Sequence, residues 1–100
     1  MTKIKTTVPC SDWFRGWGYG HTKLGKLTKT GENQYLWKGS AQGRHGNVIT
    51  KSIQIEFRVT ETGYEALSTE INRKVIDPPT TRSLPDKRDV DEAIRVLGSY

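Results

Sequence analysis

The sequence predicts an α+β fold, in which a small antiparallel meander of three or four strands carries a C-terminal helix packed on one face. Three observations support it. Apolar and polar residues alternate over residues 48–60, turn residues flank the strand candidate at residues 34–40, and a helical apolar face occupies residues 90–97. With 100 residues the chain can bury one core, so residues 1–100 are expected to form a single basic domain.

Two strands are predicted in the first third of the chain. Residues 3–8, which precede Pro9, are expected to add an edge strand. Residues 22–30 suit the next strand, although Gly25 interrupts the pattern. Residues 29–33, Lys-Thr-Gly-Glu-Asn, are predicted to form a hairpin turn, because Gly and Asn accept a positive φ.

The two central strands are predicted at residues 34–40 and 48–60, joined by a loop over residues 41–47. In the second strand only Lys51 breaks the apolar alternation, so one face is expected to be buried and the other to meet solvent. The predicted solvent face comprises Thr50, Ser52, Gln54, Glu56 and Arg58. The predicted core comprises Tyr35 or Trp37, Ile49, Ile53, Ile55, Phe57, Val59, Leu67, Ile71, Val90, Ile94 and Leu97.

Residues 63–75 allow two interpretations. Thr62 and Glu65 have capping-box spacing and the apolar residues that follow have helical spacing, so a second helix is favoured. A strand with period two is the alternative. Residues 77–79, Asp-Pro-Pro, end the element in either case.

A terminal helix is predicted after the loop of residues 80–87. Asp89 and Glu92 have the spacing of an N-terminal cap pair, and apolar residues form one face up to Gly98. Helix capping and solubility explain the acidic residues of this region, so no catalytic role is expected for them.

The net charge of +5 is concentrated in the first part of the chain. Residues 1–60 contain ten Lys or Arg and three Asp or Glu, whereas residues 61–100 contain six and eight. A basic surface attracts phosphate backbones, so nucleic acid is the expected partner. DNA is favoured over RNA, because a sheet with a helix behind it suits the major groove.

An aromatic–glycine segment at residues 11–21, Ser-Asp-Trp-Phe-Arg-Gly-Trp-Gly-Tyr-Gly-His, strengthens this expectation. Aromatic rings stack on unpaired bases, and glycine lets the backbone approach a ligand. Trp13, Phe14 and Trp17 suit a core equally well. The candidate nucleic-acid contacts are Arg15, Tyr19 and His21 for bases, and Lys23, Lys26, Lys29, Lys38, Arg44 and Lys51 for phosphates.

The alternative function is a protein-interaction module, such as a small regulator or inhibitor from a mobile element, whose basic face binds an acidic protein surface. The same lysines serve both functions, so composition does not separate them. No enzyme activity is expected. Cys10 with His21 or His45 is a formally possible nucleophile pair, but a lone cysteine after proline is more often inert. No metal site and no cofactor are expected either, since the ligand spacings and phosphate-binding glycine motifs are missing.

The composition also indicates the cellular compartment. A single cysteine excludes a disulfide framework within the chain, and no apolar run approaches the roughly 20 residues of a membrane span. The first six residues lack the apolar stretch of a secretory signal. We therefore expect a cytoplasmic protein without a membrane partner, and nothing in the sequence indicates an oligomeric state.

Overall fold

The computed structural model describes residues 6–11, 22–43 and 48–98, and only the backbone at residues 22, 48 and 49. These residues form one antiparallel sheet of six strands, in which each strand pairs with its sequence neighbours, and a C-terminal helix. The elements are β1 (Thr7–Pro9), β2 (Thr22–Gly31), β3 (Gln34–Gln42), β4 (Val48–Thr60), β5 (Gly63–Ile71), β6 (Lys74–Val75) and α1 (Lys87–Gly98). The α+β class is confirmed, and the meander has more strands than the three or four predicted.

The strands of the first half follow the sequence pattern. β2, β3 and β4 begin at the predicted residues, and the hairpin between β2 and β3 turns through Glu32 and Asn33. Asn33 has a φ of 58°, a left-handed conformation that asparagine tolerates better than most residues. β1 pairs with Lys26–Thr28 at the edge of the sheet, as predicted, whereas residues 3–5 of that prediction lie outside the described residues.

β4 contains a bulge at residues 51–52. Gly39 pairs with Ile53 and Ala41 pairs with Thr50, so two residues of β4 face a single residue of β3. The extra residue accounts for the break in the apolar alternation at this point, because the pattern resumes on the same face beyond it. Thr50 lies on the helix side of the sheet with Ile53, so its predicted place on the solvent face is wrong, and the two bulge residues lie on the opposite face.

Residues 63–75 form strands, so the predicted second helix is wrong. β5 pairs with β4, and β6 pairs back onto the end of β5. The turn between them holds Asn72 at a φ of 52° and Arg73 at 68°, which an α-helix does not accommodate. Thr62 lies in a hairpin turn before Gly63, whose φ is 142°, and does not cap a helix. The backbone of β4 forms hydrogen bonds with β5 along its length. The spacing of apolar residues within 63–75 does not indicate this pairing.

The helix α1 begins one turn before the predicted cap pair. Asp86 Oδ1 accepts a hydrogen bond from the Arg88 backbone N–H at 2.9 Å, so Asp86 is the N-cap. Asp89 therefore lies inside the first turn, where an acidic residue favours the helix dipole. Glu92 pairs with Arg95 at 2.6 Å instead of capping.

One core lies between the sheet and α1. Val59 and Ile94 are partly buried against it, whereas Leu67 and Ile71 are half-buried outside it. The side chain of Ile49 lies outside the described part of the chain. The buried core residues are Val8, Cys10, Leu27, Tyr35, Trp37, Ala41, Ile53, Ile55, Phe57, Leu84, Val90, Ala93 and Leu97.

A polar latch joins the start of β5 to the first turns of α1. Tyr64 donates its hydroxyl hydrogen bond to Asp91, and the Lys87 ammonium pairs with the same carboxylate at 2.7 Å. Burial and the contact with Asp91 raise the pKa of Tyr64 above its ordinary value, so the phenol stays neutral. For Asp91, partial burial works against ionisation, yet the hydrogen bonds from Lys87 and Tyr64 outweigh it and lower the pKa.

Acidification is expected to weaken this latch. Because the pKa of Asp91 is depressed in the folded protein, its contribution is complete above the ordinary value of 3.8 and is lost as the pH falls below it. The group is about half exposed, so we expect less than about 1 kcal/mol. Urea unfolding at neutral pH and at about pH 3 would test this, since Asp91→Asn should lose less stability on acidification than the parent protein. An equal loss in both would contradict the assignment.

Candidate nucleic-acid interface

Among the described residues, no element packs against the sheet face opposite α1, which is called here the open face. Strand register places Lys26, Lys38, Gln54 and Glu70 side by side in one row across β2, β3, β4 and β5. Both lysines are exposed, whereas Gln54 and Glu70 are half-buried. The row lies on the open face, because the residues next to it along the strands, such as Trp37, are buried in the core.

Lys26 and Lys38 are directly opposite each other in the β2–β3 pair. The ion pairs formed between described residues are Arg58–Glu65, Lys87–Asp91 and Arg95–Glu92, and none of them includes either lysine. Side chains directly opposite in an antiparallel pair have Cβ atoms about 4.5–5.5 Å apart, so the two ammonium groups repel each other. The β2–β3 part of the open face is therefore a site of concentrated positive charge.

The charge of the open face changes sign across the strands. Glu56 lies on β4, where its carboxylate accepts a hydrogen bond from the Thr30 hydroxyl at 3.4 Å. Glu70 lies on β5, and Arg58 is paired with Glu65 at 3.0 Å. Phosphate groups are thus attracted most strongly to the β2–β3 part of this face.

The other predicted phosphate contacts on strands lie apart from this lysine pair. Lys23 lies on the helix side of β2, where its half-buried ammonium donates a hydrogen bond to the Leu84 carbonyl at 3.0 Å. Lys29 is exposed on the same side as Lys23, near the β2–β3 hairpin. Lys51 is exposed in the β4 bulge. Lys23 and Lys29 thus share the helix side of β2, whereas Lys26 lies on the open face.

Several predicted contacts lie outside the described residues. These are Arg15, Tyr19 and His21 of the aromatic–glycine segment, and Arg44 of the loop before β4. Trp13, Phe14 and Trp17, for which core and ligand roles were both open, lie outside as well. Base stacking by this segment stays a prediction.

Two basic residues near Lys51 were missed by the sequence analysis. Arg73 and Lys74 are exposed at the β5–β6 turn. Asn72 ties this turn to the bulge, because its Oδ1 accepts the Lys51 backbone N–H at 3.1 Å and the Ser52 backbone N–H at 3.4 Å. The Asn-Arg pair between two short apolar runs was the available signal, and the helical interpretation of residues 63–75 obscured it.

Cys10 is buried at 3% exposure, and its Sγ donates a hydrogen bond to the Asp89 carbonyl at 3.7 Å. It contributes to the floor of a groove of about 390 Å³ between the end of β1 and α1. His21 and His45, its possible partners in a nucleophile pair, lie outside the described residues.

Over the described ranges 6–11, 22–43 and 48–98, no group of three or more His, Cys, Asp or Glu side chains is arranged to hold a metal ion. The helix found in these ranges does not have the length and apolar character needed to cross a bilayer. Comparison of the chain with protein families, curated proteins and solved structures finds no match.

Proposed function

We propose that the protein binds nucleic acid through the open face of its sheet, with Lys26 and Lys38 contacting phosphate groups. The observation that carries the proposal is the direct opposition of these two lysines. Like charges facing each other across an antiparallel pair lower stability, by about 0.2–1 kcal/mol for such cross-strand pairs. A phosphate group held between them replaces this repulsion with attraction and releases counterions, so the arrangement favours a bound polyanion.

The polar side chains around the lysine pair support the same proposal. Thr28 and Ser40 lie on the open face next to it, and Gln54 extends its row onto β4. Hydroxyl and amide groups donate hydrogen bonds to phosphate oxygens and to base edges. The open face therefore offers polar recognition groups beside its charges.

We propose that the nucleic acid is DNA, because the architecture is analogous to that of sheet-based DNA-binding proteins. Known sheet-based readers lay strands into the major groove, and a helix on the opposite face stabilises the sheet. Six antiparallel strands with α1 on one face provide this arrangement. The analogy concerns the fold alone, so the lysine pair carries the functional argument.

Removal of the lysine charges is expected to weaken DNA binding and to leave the fold intact. Lys26→Gln and Lys38→Gln should each lower affinity on the order of tenfold at about 50 mM salt, and each should lower the salt slope by about one unit. Lys38→Gln should also raise the free energy of unfolding slightly, because it removes the cross-strand repulsion. Fluorescence anisotropy with a short labelled duplex at two salt concentrations, together with urea unfolding, measures both effects.

Arg88→Ala is the matched control, because it also removes one positive charge from an exposed residue, in the first turns of α1. Its affinity for DNA should stay close to that of the parent protein. Equal losses from Arg88→Ala and from the two lysine variants would indicate diffuse attraction without a defined site. Absence of any DNA or RNA binding at about 50 mM salt would refute the proposal and favour an acidic protein surface as the partner.

A further inference from the structure

A second basic cluster lies at one end of the sheet, formed by Lys51 and Arg73 and called here the bulge–turn cluster. Both residues are exposed. Lys74 lies on the helix side of the sheet instead, because it pairs with Ile71, which pairs with the buried Ile53. Asn72 holds the two elements together, since its Oδ1 accepts backbone hydrogen bonds from the bulge and its own N–H donates to the Ser52 carbonyl at 2.7 Å. No ion pair between described residues includes a member of the cluster.

The backbone at Arg73 gives a second and independent indication of a role for its side chain. Asn72 and Arg73 are consecutive left-handed residues, with φ values of 52° and 68°, in a two-residue hairpin turn. Turns of this kind favour Asn followed by Gly, because glycine adopts the second conformation without steric cost. A bulky residue with positive φ is an outlier, and such outliers cluster at binding sites.

The geometry points to the bulge–turn cluster as a second phosphate contact for duplex DNA, an inference that rests on the proposed function. Arg73 lies in the turn between β5 and β6, between two and three strand spacings from Lys38 on β3. At about 4.8 Å per spacing this is roughly 10–14 Å across the strands, close to the major-groove width of about 12 Å. The lysine pair and Arg73 of the bulge–turn cluster can thus contact phosphates on opposite sides of one major groove, with Lys51 on β4 between them.

The residues between the two basic sites suit the floor of that groove. Gln54 and Glu70 lie in the row between Lys38 and Val75. An amide side chain recognises adenine, a carboxylate accepts from the cytosine amino group, and an apolar side chain contacts the thymine methyl group. Val75 is 75% exposed, which is unusual for an apolar residue in this structure and fits the last of these roles.

The substitution Arg73→Gly separates binding from folding. It removes the charge and relieves the left-handed strain, so the melting temperature should stay the same or rise. DNA affinity should fall on the order of tenfold at about 50 mM salt, with a loss of about one unit in the salt slope. Asn33→Gly is the matched control, because it relieves the same kind of strain in the β2–β3 turn and changes no charge. It should leave DNA affinity unchanged, and Arg73→Lys should retain most of it.

The measurements are anisotropy titrations of a short duplex and of one of its strands alone, with parent, Lys38→Gln, Arg73→Gly and Asn33→Gly proteins. If the parent protein binds the duplex and Lys38→Gln weakens it, but Arg73→Gly does not, the second contact is refuted and the proposed function stands. If the parent protein binds neither nucleic acid, the proposed function itself fails. Equal affinity for duplex and single strand would overturn the major-groove assignment.

Discussion

Replacing Ile55 with aspartate is expected to unfold the protein. Ile55 has no exposed surface and lies in the middle of the sheet, with Trp37 beside it on β3 and Thr69 beside it on β5. A carboxylate there would lose its hydration with no basic group in the row to pair with. The cost is several kcal/mol, against a total stability of about 5–15 kcal/mol for a domain of this size. Circular dichroism and urea unfolding would measure the loss.

Gln54→Asp is the matched control for this substitution. Gln54 is the next residue in the chain, but it lies on the open face and is half-buried beside Lys38. The new carboxylate stays hydrated between Lys38, which attracts it, and Glu70, which repels it, so we expect the free energy of unfolding to change by less than about 1 kcal/mol. Equal unfolding of both variants would mean that the sheet is covered on both faces, which would also remove the surface on which the proposed function depends.

The success of the sequence analysis in the first half of the chain has a simple physical cause. Where one face of a strand is buried and the other is open, alternation along the chain records the burial directly. β4 is such a strand, and its alternation identified the core face from Ile53 to Val59. Tyr35 and Trp37 were predicted as alternative core residues, yet both are buried, because β3 is a central strand and both side chains face the core.

The helix predicted for residues 63–75 is wrong because the structure of this segment is decided by distant parts of the chain. Leu67 lies at a bulge, since Ala66 pairs with Phe57 and Ser68 pairs with Glu56. The extra residue shifts the apolar positions of β5 and produces a spacing that resembles a helix. Helix and strand propensities depend only on neighbouring residues in the chain. The backbone hydrogen bonds between β4 and β5 join residues far apart in the chain, and they determine that this segment is a strand.

The candidate site was partly predictable for the same reason. Opposition of Lys26 and Lys38 follows from the register of the β2–β3 hairpin, which its turn fixes. The sequence identified both lysines as candidate contacts. It did not show that they are opposite each other, because the register depends on an irregularity between Lys29 and Gly31 that the sequence pattern does not reveal. The bulge–turn cluster depends on a hairpin where a helix was favoured, so its basic residues could not have been brought together in advance.

The second large loss of stability is expected from substitution of a glycine beneath Trp37. Gly25 and Gly39 are directly opposite each other in the β2–β3 pair, and the Trp37 ring covers both. A Cβ atom on Gly25 would lie 2.7 Å from the ring, and one on Gly39 would lie 2.5 Å from it. The ring itself is fully buried, with its Nε1 donating to the Cys10 carbonyl at 2.9 Å. It therefore has little freedom to move aside.

Gly39→Ala is accordingly expected to destabilise the protein severely. The new methyl group would also clash with the Leu24 backbone carbonyl across the pair, and backbone of a paired strand yields only at high cost. Overpacking of this kind costs about 1–3 kcal/mol or more, which corresponds to a fall in melting temperature of about 10 °C or more for a domain of this size. Differential scanning calorimetry measures it.

Gly98→Ala makes the same chemical change where nothing lies within 4 Å of the added Cβ atom, so its melting temperature should hardly change. The double variant Gly39→Ala/Trp37→Leu identifies the cause. Trp37→Leu alone is destabilising because it leaves a cavity, but the smaller side chain makes room for the methyl group at residue 39. The double variant should therefore lose less stability than the sum of the two single variants. Strict additivity would show that Trp37 does not occupy the space above Gly39, and the clash would then have to lie entirely with the Leu24 carbonyl.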